Sequence, residues 1–168
     1  MNANANSNED TIKRFYTAFQ QRDAATMAAC YAPDVQFSDP VFTDLRGAAA
    51  GTMWKMLCER GKDLKIEFRD VRADATTGSA HWEAWYTFSA SGRKVHNVID
   101  ATFEFRDGMI VKHTDRFDLY RWARQALGPA GIVLGWTPML QNKVRAMAAK
   151  GLADYQRTSK PTEASQRS

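Results

Sequence analysis

The sequence feature that most constrains the fold is a long stretch, residues 64–120, in which apolar and polar side chains alternate. Alternation with a period of two is typical of β-strands that bury one face. The dipeptides Ser91-Gly92 and Asp107-Gly108 predict tight hairpin turns, so we expect the last three strands to be antiparallel neighbours. The predicted strands cover residues 64–71, 80–90, 94–106 and 109–120.

Three helices are predicted before these strands. Ser7 or Asn8 can cap the first helix, and its apolar residues recur at helical spacing. These residues are Ile12, Phe15, Tyr16 and Phe19. Asp23 can cap a short second helix, and a third helix fits residues 47–60, with Met53, Trp54 and Leu57 facing inward.

The chain returns to helical composition after the strands. Residues 119–127 predict a helix, and the Gly and Pro residues in 128–135 predict a flexible connection. Thr137 and Pro138 suit the cap and the first turn of a final helix. We therefore expect a domain over residues 8–128, a helical extension over residues 129–155 and a disordered tail over residues 156–168.

Helices followed by an antiparallel meander are typical of an α+β fold. A curved antiparallel sheet wrapped around the N-terminal helices would form a cone with one open end, and the C-terminal helix would be an addition to it. A chain of 168 residues has the size of one domain and can bury a core with room for a pocket. We expect that pocket where the sheet meets the helices.

Charge and hydropathy argue against nucleic acid and membrane partners. The net charge is +4, but residues 1–120 hold fifteen Lys or Arg and seventeen Asp or Glu, so the basic excess lies in residues 121–168. No platform of interleaved basic and aromatic residues is visible, so we expect no nucleic acid partner. No run of about 18 apolar residues is present, so we expect no membrane-spanning helix and no membrane partner.

The location expected for this chain is the cytoplasm. Residues 1–10 are Asn-rich and acidic and lack the apolar stretch of a secretory signal. The two cysteines, Cys30 and Cys58, cannot build a disulfide framework, and their spacing fits no zinc motif.

Sequence motifs that bind common cofactors or carry a nucleophilic serine are missing. The chain has no glycine-rich phosphate loop, no dinucleotide-binding fingerprint and no serine in a nucleophile elbow. His96 and His113, together with Asp100 or Asp115, could in principle bind a metal, but their spacing is unlike that of dense ligand motifs. We therefore expect neither a metal nor another cofactor.

Carboxylates on strands are the remaining candidates for chemistry. Asp39 alternates with Val35 and Phe37 in a short extended stretch, which points all three to one side. A carboxylate among apolar side chains costs free energy unless it is paired, neutralised or used. An equally good interpretation is that Asp39 caps the turn that it forms with Pro40.

The last strand carries a second candidate pair. His113 and Asp115 share a face with Val111 and Phe117, and this apolar company indicates that both point inward. Such a pair can act as a base and the residue that orients it. It can equally well be a hydrogen-bonded pair with a purely structural role.

The two middle strands differ in the character of their faces. Asp100 lies on the polar face of the strand over residues 94–106, which the pattern alone assigns to solvent. The neighbouring strand has an apolar face made of Trp82, Ala84, Tyr86 and Phe88. That face can be plain core or the wall of an aromatic-lined cavity.

Four short segments, taken in their order and spacing, resemble the nuclear transport factor 2-like, or SnoaL-like, superfamily of cone-shaped domains. They are residues 31–40, 98–100, 107–110 and 113–119. The resemblance runs from about Asp10 to Tyr120 and implies the cone fold. The superfamily includes enzymes, transport proteins and scaffold proteins, so the fold alone does not fix the function.

Ketosteroid isomerase is the catalytic comparison within this superfamily. Asp39 falls at the position of that family's general base, and Asp100 falls at the position of its protonated oxyanion-hole aspartic acid. Phe15 stands where the family has a tyrosine on its first helix. Tyr16 is adjacent to that position, and Tyr86 could reach the pocket from the sheet instead.

Two further enzyme families resemble parts of the chain. Asp115 resembles the last-strand acid of limonene-epoxide hydrolase, but Trp82 and Ala84 stand near the place of that family's Arg-x-Asp pair. Residues 118–128 resemble the end of SnoaL-type polyketide cyclases, which are acid/base enzymes without a cofactor.

These resemblances imply a cofactor-independent acid/base enzyme, of the isomerase, cyclase or dehydratase type, that acts on a small apolar carbonyl compound. Asp39 would be the base and a neutral Asp100 the oxyanion donor, with His113 and Asp115 as a second pair. The residues expected around the substrate are Phe15, Tyr16, Trp54, Trp82, Tyr86, His96 and Phe117. The alternative, which Phe15 favours, is a non-catalytic protein of this fold that binds a small ligand or serves as a dimeric scaffold.

A homodimer through the sheet is also expected. If Asp100 faces the pocket, the residues that alternate with it must face outward as an apolar patch. They are Ile99, Ala101, Phe103 and Phe105, and His81, Glu83 and Trp85 would join them from the neighbouring strand. Exposed apolar patches of this kind usually mark an interface, and a two-fold axis would bury the patch on both subunits.

Overall fold

Six strands form one sheet in the computed structural model, which describes residues 3–159. The strands are β1 (Tyr31–Ser38), β2 (Leu45–Arg46), β3 (Lys65–Ala73), β4 (Thr77–Phe88), β5 (Arg93–Arg106) and β6 (Met109–Arg116). The helices are α1 (Ala3–Gln20), α2 (Ala24–Ala29), α3 (Ala48–Arg60), α4 (Leu119–Leu127), α5 (Pro129–Leu134) and α6 (Pro138–Thr158).

The sheet has the strand order β2-β1-β6-β5-β4-β3. Strands β3 to β6 form the antiparallel meander that the sequence predicts. Strand β1 lies beside β6, on the side away from β5, and pairs with it in parallel. Register shifts in three of the strand pairs add bends to the sheet. The predicted α+β class and cone-like arrangement are confirmed.

The first helices cover one face of this sheet, with α1 packed against β3 and β4 and α3 packed against β1. Aromatic rings fill the space between the two layers. The largest fully buried side chains there include Trp54, Tyr16, Phe15, Phe37 and Phe103. Aromatic side chains bury large apolar areas, so this layer supplies much of the stabilisation of the fold.

The structure corrects the predicted start of the first helix. Helix α1 begins at Ala3, and Asn8 lies inside it as a buried residue. The Asn8 side-chain amide donates hydrogen bonds to the carbonyl oxygens of Asp74 (2.9 Å) and Ala75 (3.2 Å). Asn8 therefore fixes the β3–β4 turn to α1 instead of capping the helix. The predicted cap of α2 is confirmed, because the Asp23 side chain accepts a hydrogen bond from the Thr26 N–H.

The C-terminal region is more regular than the sequence predicts. Part of the Gly- and Pro-rich connection forms α5, because Gly131 lets this helix approach α4 closely. A Cβ atom at Gly131 would lie 1.9 Å from the carbonyl oxygen of Ala123. Helix α6 extends to Thr158, so residues 156–158 of the predicted disordered tail are helical, and residues 160–168 of that tail lie outside the described residues.

The outward apolar patch expected on the sheet is wrong. The four apolar residues of β5 predicted to form it are buried in the core, with at most 7% of their surface exposed, and only the neighbouring His81, Glu83 and Trp85 are partly exposed. The four buried residues are Ile99, Ala101, Phe103 and Phe105. The alternation of apolar and polar residues along β5 predicts correctly which face is buried and which is exposed. The resemblance to ketosteroid isomerase, which places Asp100 in the pocket, led to the opposite assignment. The homodimer itself stays a prediction, and this patch no longer supports it.

The helices of the described part of the chain, residues 3–159, include none that is both long enough and apolar enough to cross a membrane.

Candidate functional site

Asp39 and Asp115 come together at the end of the parallel pair β1–β6. In this register Phe37 lies beside His113, and Ser38 lies beside Thr114. Asp39 and Asp115 occupy the next positions on the two strands. Alternation along the strands turns them to the same side as the buried Phe37 and His113. Two of the carboxylates singled out in the sequence therefore share one region of the interior.

Asp115 is held by a buried chain of hydrogen bonds. His113 is fully buried, and its Nε2 lies 2.9 Å from Oδ1 of Asp115. Its Nδ1 lies 2.7 Å from the hydroxyl of Tyr31, and the indole N–H of Trp54 donates to that same hydroxyl over 2.8 Å. The indole N–H of Trp82 adds a second, longer bond to Oδ1 of Asp115 (3.3 Å).

The direction of these hydrogen bonds assigns the protons along the chain. Trp54 can only donate, so the Tyr31 hydroxyl is free to direct its own proton to Nδ1 of His113. His113 then carries its proton on Nε2 and donates it to Asp115. A neutral His113 and a negatively charged Asp115 satisfy every partner in this arrangement. His113 has no free nitrogen left for a substrate, so it orients Asp115.

Asp39 caps a turn and also stands in apolar surroundings. Its Oδ1 accepts hydrogen bonds from the N–H groups of Val41 (2.7 Å) and Phe42 (2.5 Å). Burial raises the pKa of Asp39 from 3.8 to about 7, although these two N–H groups act in the opposite direction. The negative charge of Asp115 contributes to the increase. The two interpretations from the sequence, turn cap and buried carboxylate, thus both hold for Asp39.

The raised pKa of Asp39 predicts that the protein becomes less stable as the pH rises. An acid with a higher pKa in the folded state stabilises the fold below its unfolded pKa of 3.8, and this contribution is lost as the pH rises through about 7. We expect the free energy of unfolding to fall by about 2 kcal/mol between about pH 5 and pH 8 through Asp39 alone.

Urea denaturation of the wild type and of Asp39→Asn over that pH range measures this contribution. The amide can still accept the two turn hydrogen bonds but does not titrate, so the variant should lose this part of the pH dependence. Parallel pH curves for the two proteins would contradict the assignment.

The Tyr86 hydroxyl group is within reach of the charge of Asp39. The indole N–H of Trp122 donates to the Tyr86 oxygen over 2.8 Å, and within residues 3–159 no group accepts the proton of Tyr86. Burial raises the pKa of Tyr86, the Trp122 bond lowers it, and the charge of the nearby Asp39 raises it again. Phe117 and Val41 pack in the same apolar cluster. The charge of a partly buried carboxylate therefore acts on the hydroxyl group of Tyr86 in an apolar environment.

Tyr16 brings a second hydroxyl close to Asp115. Tyr16 is fully buried, and its hydroxyl is without a hydrogen-bond partner among the described residues. Burial raises its pKa well above the usual value, and the charge of Asp115 adds to this. Phe15 is also fully buried, with its ring centroid 5.5 Å from that of His113. Phe15 and Tyr16 on α1 thus both face the interior. Successive residues of a helix point about 100° apart, and aromatic side chains of the core cover both directions.

Asp100 and His96 lie on the opposite face of the sheet, so their expected place in the pocket is wrong. Asp100 is exposed, and its Oδ1 lies 2.9 Å from Nδ1 of His81. His96 bonds to Glu83 over 2.9 Å and stacks on Trp85 at 4.5 Å between ring centroids. These residues alternate with the buried residues of β4 and β5, so strand periodicity sends them outward. An oxyanion donor at Asp100 is therefore excluded for chemistry at Asp39.

The interior around His113 is packed with rings. Phe103, Phe37 and Trp54 approach the imidazole with centroid separations of 4.4, 5.0 and 6.0 Å. Two surface grooves lie elsewhere. One, of about 610 Å³, lies on the outer face of the sheet at Thr102. The other, of about 420 Å³, lies between α6 and residues 41–45. The expected single cavity that joins all the predicted residues is therefore not what the structure shows.

Arg145 on α6 fixes the turn that carries Asp39. Its Nε donates a hydrogen bond of 2.8 Å to the carbonyl oxygen of Pro40, and its Nη1 donates to Asn142 over 3.0 Å. The 420 Å³ groove runs beside this contact and is walled mainly by apolar side chains such as Phe42 and Leu152. Helix α6 thus covers the side of the domain on which Asp39 lies.

Sequence reasoning missed Tyr31, Trp122 and Arg145. Each acts on a predicted residue from a distant part of the chain, so no local spacing reveals the contact. Within the described residues, His, Cys, Asp and Glu side chains form no group of three or more that could hold a metal ion.

Comparisons with known proteins identify a family model and solved structures that are similar to this chain. A model of the SnoaL-like domain matches residues 12–113. No curated protein matches the chain. Among solved structures, an LEH-like epoxide hydrolase from M. tuberculosis is 21% identical, with a TM-score of 0.59 over 77% of this chain and 94% of that one.

Two other solved structures show the same likeness. A candidate polyketide cyclase from Xanthomonas campestris is 23% identical, with a TM-score of 0.63 over 74% of this chain and 99% of that one. A candidate ketosteroid isomerase from Kribbella flavida is 16% identical, with a TM-score of 0.54 over 68% of this chain and 79% of that one. These likenesses show a shared fold.

Proposed function

The chain belongs to the SnoaL-like family, and on that premise we propose that it is an acid/base enzyme that works without a cofactor. Its reaction would be proton abstraction next to the carbonyl group of a small apolar substrate, leading to isomerisation, cyclisation or dehydration. The observation that carries this proposal is Asp39, whose pKa is raised to about 7 by burial and whose charge acts on the hydroxyl group of Tyr86. General bases work best when their pKa lies near the working pH.

The proposed step uses the free oxygen of Asp39. With Oδ1 held by Val41 and Phe42, the carboxylate takes a proton from the carbon beside the carbonyl group. The C–H electron pair becomes the C=C bond of an enolate, and the negative charge moves to its oxygen. Tyr86 donates its hydroxyl proton in a hydrogen bond to that oxygen, as in an oxyanion hole. Return of the proton from Asp39 to another carbon completes an isomerisation.

Asp115 has a different task in this scheme. It is held as a charged group by His113 and Trp82 and raises the pKa of Asp39. A fixed negative charge next to a carboxyl group favours the neutral form of that group. Asp115 therefore adds to the effect of burial and raises further the pH at which Asp39 becomes a base.

Replacing Asp115 with Asn tests this scheme, because the change removes the neighbouring charge. We expect the pKa of Asp39 to fall, so the acid limb of the pH–rate profile should move to lower pH. NMR titration of labelled aspartate carboxyl groups measures the pKa without a substrate. Turnover of apolar cyclic β,γ-unsaturated ketones, followed by the absorbance of the conjugated product, measures the rate. An unchanged Asp39 titration in a folded Asp115→Asn protein would contradict the coupling.

The alternative is a protein that binds an apolar ligand without chemistry, and the ring-filled interior around His113 favours it. An apolar phenol is a useful probe here, because its phenolate imitates an enolate. Binding of a naphthol without turnover of any ketone, and without dependence on the ionisation of Asp39, would support the ligand-binding alternative.

A further inference from the structure

The large apolar side chains that are exposed are confined to one part of the molecule. Among residues 3–159, all of the large hydrophobic residues with 41% or more of their surface exposed lie between positions 132 and 147. They are Ile132 (55% exposed), Val133 (65%), Leu134 (41%), Trp136 (66%), Met139 (72%) and Met147 (57%). We call this surface, together with Lys143 and Lys150, the C-terminal face.

The backbone holds these side chains outward. Helix α5 lies so close to α4 that Gly131 has no room for a side chain, and the Tyr120 hydroxyl bonds to the carbonyl oxygen of Ile132 over 2.9 Å. The Trp136 indole N–H is already bonded to the carbonyl oxygen of Val133 over 3.0 Å. The ring of Trp136 is therefore presented with its donor satisfied, and what it offers to a partner is apolar surface.

The charged residues between positions 119 and 153 all have one sign. Residues 119–153 contain no Asp or Glu and five basic residues. These are Arg121, Arg124, Lys143, Arg145 and Lys150. In the described part of the chain none of the five forms a salt bridge. The segment therefore exposes unpaired positive charge beside its apolar side chains.

The helix period mixes the two kinds of side chain on one face of α6. Met139, Lys143, Met147 and Lys150 follow one another at spacings of four, four and three residues. Such spacings place side chains on the same side of a helix. All four are exposed, whereas Arg145 on the other side of α6 reaches the Asp39 turn.

We propose that the C-terminal face binds the surface of a bilayer that contains anionic lipids. Apolar residues with a tryptophan insert at the boundary between headgroups and acyl chains, and neighbouring lysines bind anionic headgroups. A second copy of the chain fits this face less well, because a two-fold contact would bring two sets of unpaired positive charges together. The sequence predicts no membrane partner only because it lacks a membrane-spanning segment. Binding to the surface of a bilayer does not need such a segment.

Vesicle co-sedimentation of the full chain tests this proposal. We expect binding to vesicles of equal parts phosphatidylserine and phosphatidylcholine, and at least about tenfold weaker binding to phosphatidylcholine alone. Trp136→Ser with Met139→Ser, and separately Lys143→Glu with Lys150→Glu, should each weaken binding at least about tenfold. Raising the salt concentration should weaken it as well, since screening acts on exposed charges.

Matched controls separate this surface from charge and folding effects. Lys55→Glu with Lys62→Glu makes the same change of net charge at exposed positions on another part of the protein and should leave binding unchanged. Brominated lipids should quench the fluorescence of the wild type more than that of Trp136→Phe, which locates the contact. Circular dichroism checks that every variant is folded.

Three results would overturn the proposal. They are equal binding to the two kinds of vesicle, equal weakening by the control pair, and no binding to either kind of vesicle. Sedimentation that shows a dimer which Trp136→Ser with Met139→Ser converts to a monomer would assign the face to a second copy. None of these results depends on whether Asp39 acts as a base.

Discussion

Replacing Asp39 with Asn should lower the turnover of a ketone substrate by about 10²–10⁴-fold, the usual contribution of a general base. The amide has the shape of the carboxyl group and can accept the same turn hydrogen bonds from Val41 and Phe42. The fold should therefore survive. The reaction should slow, because the amide cannot take up a proton. Steady-state kinetics on the ketone panel measure the loss, and the urea denaturation described above confirms the folded state.

Asp100→Asn is the matched control for this prediction. It makes the same chemical change in a carboxylate that faces outward and contacts His81. We expect its turnover to stay within about twofold of the wild type, as for most surface substitutions. Equal losses in the two variants would mean that Asp39 has no special part in the reaction, and would return attention to the ligand-binding alternative.

Two buried tyrosines, Tyr31 on β1 and Tyr16 on α1, should respond to the same substitution with changes in stability of opposite sign. Tyr31→Phe leaves the Trp54 N–H and Nδ1 of His113 without their shared partner in a buried place. An unsatisfied buried polar group costs about 1–3 kcal/mol, so we expect a loss of about 3 kcal/mol in the free energy of unfolding. Tyr16→Phe removes a buried hydroxyl that has no partner in the described structure and should stabilise the protein by about 1 kcal/mol.

Urea denaturation of both variants at one pH measures this contrast. The two side chains have the same size and are both buried, so loss of packing cannot produce a difference in sign. A similar destabilisation in both variants would indicate that the Tyr16 hydroxyl has a partner that was not identified, such as a bound water.

Much of the architecture could be predicted because local patterns determine it. Alternation and hairpin glycines gave the four meander strands, and the burial of His113 and Asp115 followed from their apolar neighbours. The same rule correctly sends Asp100 to solvent, since the residues alternating with it, Ile99 and Ala101, are buried. The resemblance to ketosteroid isomerase moved Asp100 inside against this pattern, and the structure agrees with the pattern.

The parts of the site that could not be predicted depend on contacts between distant segments. The Tyr31 hydroxyl joins Trp54 to His113, and Trp122 polarises Tyr86, but neither pair has a characteristic spacing in the sequence. The parallel pairing of β1 with β6 fixes which residues meet Asp39. In the sequence, a tyrosine or tryptophan within an apolar run is indistinguishable from a purely apolar core residue. The hydrogen-bond partner of its polar atom is brought close only by the folded arrangement of distant segments.

The pairing of β1 with β6 also decides when the site can exist during synthesis and folding. About seventy-five residues separate Asp39 from Asp115, and such long-range closure is slow compared with the formation of hairpins and helices. While the chain is being synthesised, β1 has no partner on its β6 side until β6 itself has left the ribosome. Any folding intermediate made only of α1 and the β3–β5 meander would have a nearly native sheet and an Asp39 with an ordinary, acidic carboxyl group. The proton-transfer chemistry proposed here would therefore be among the last properties that the molecule acquires.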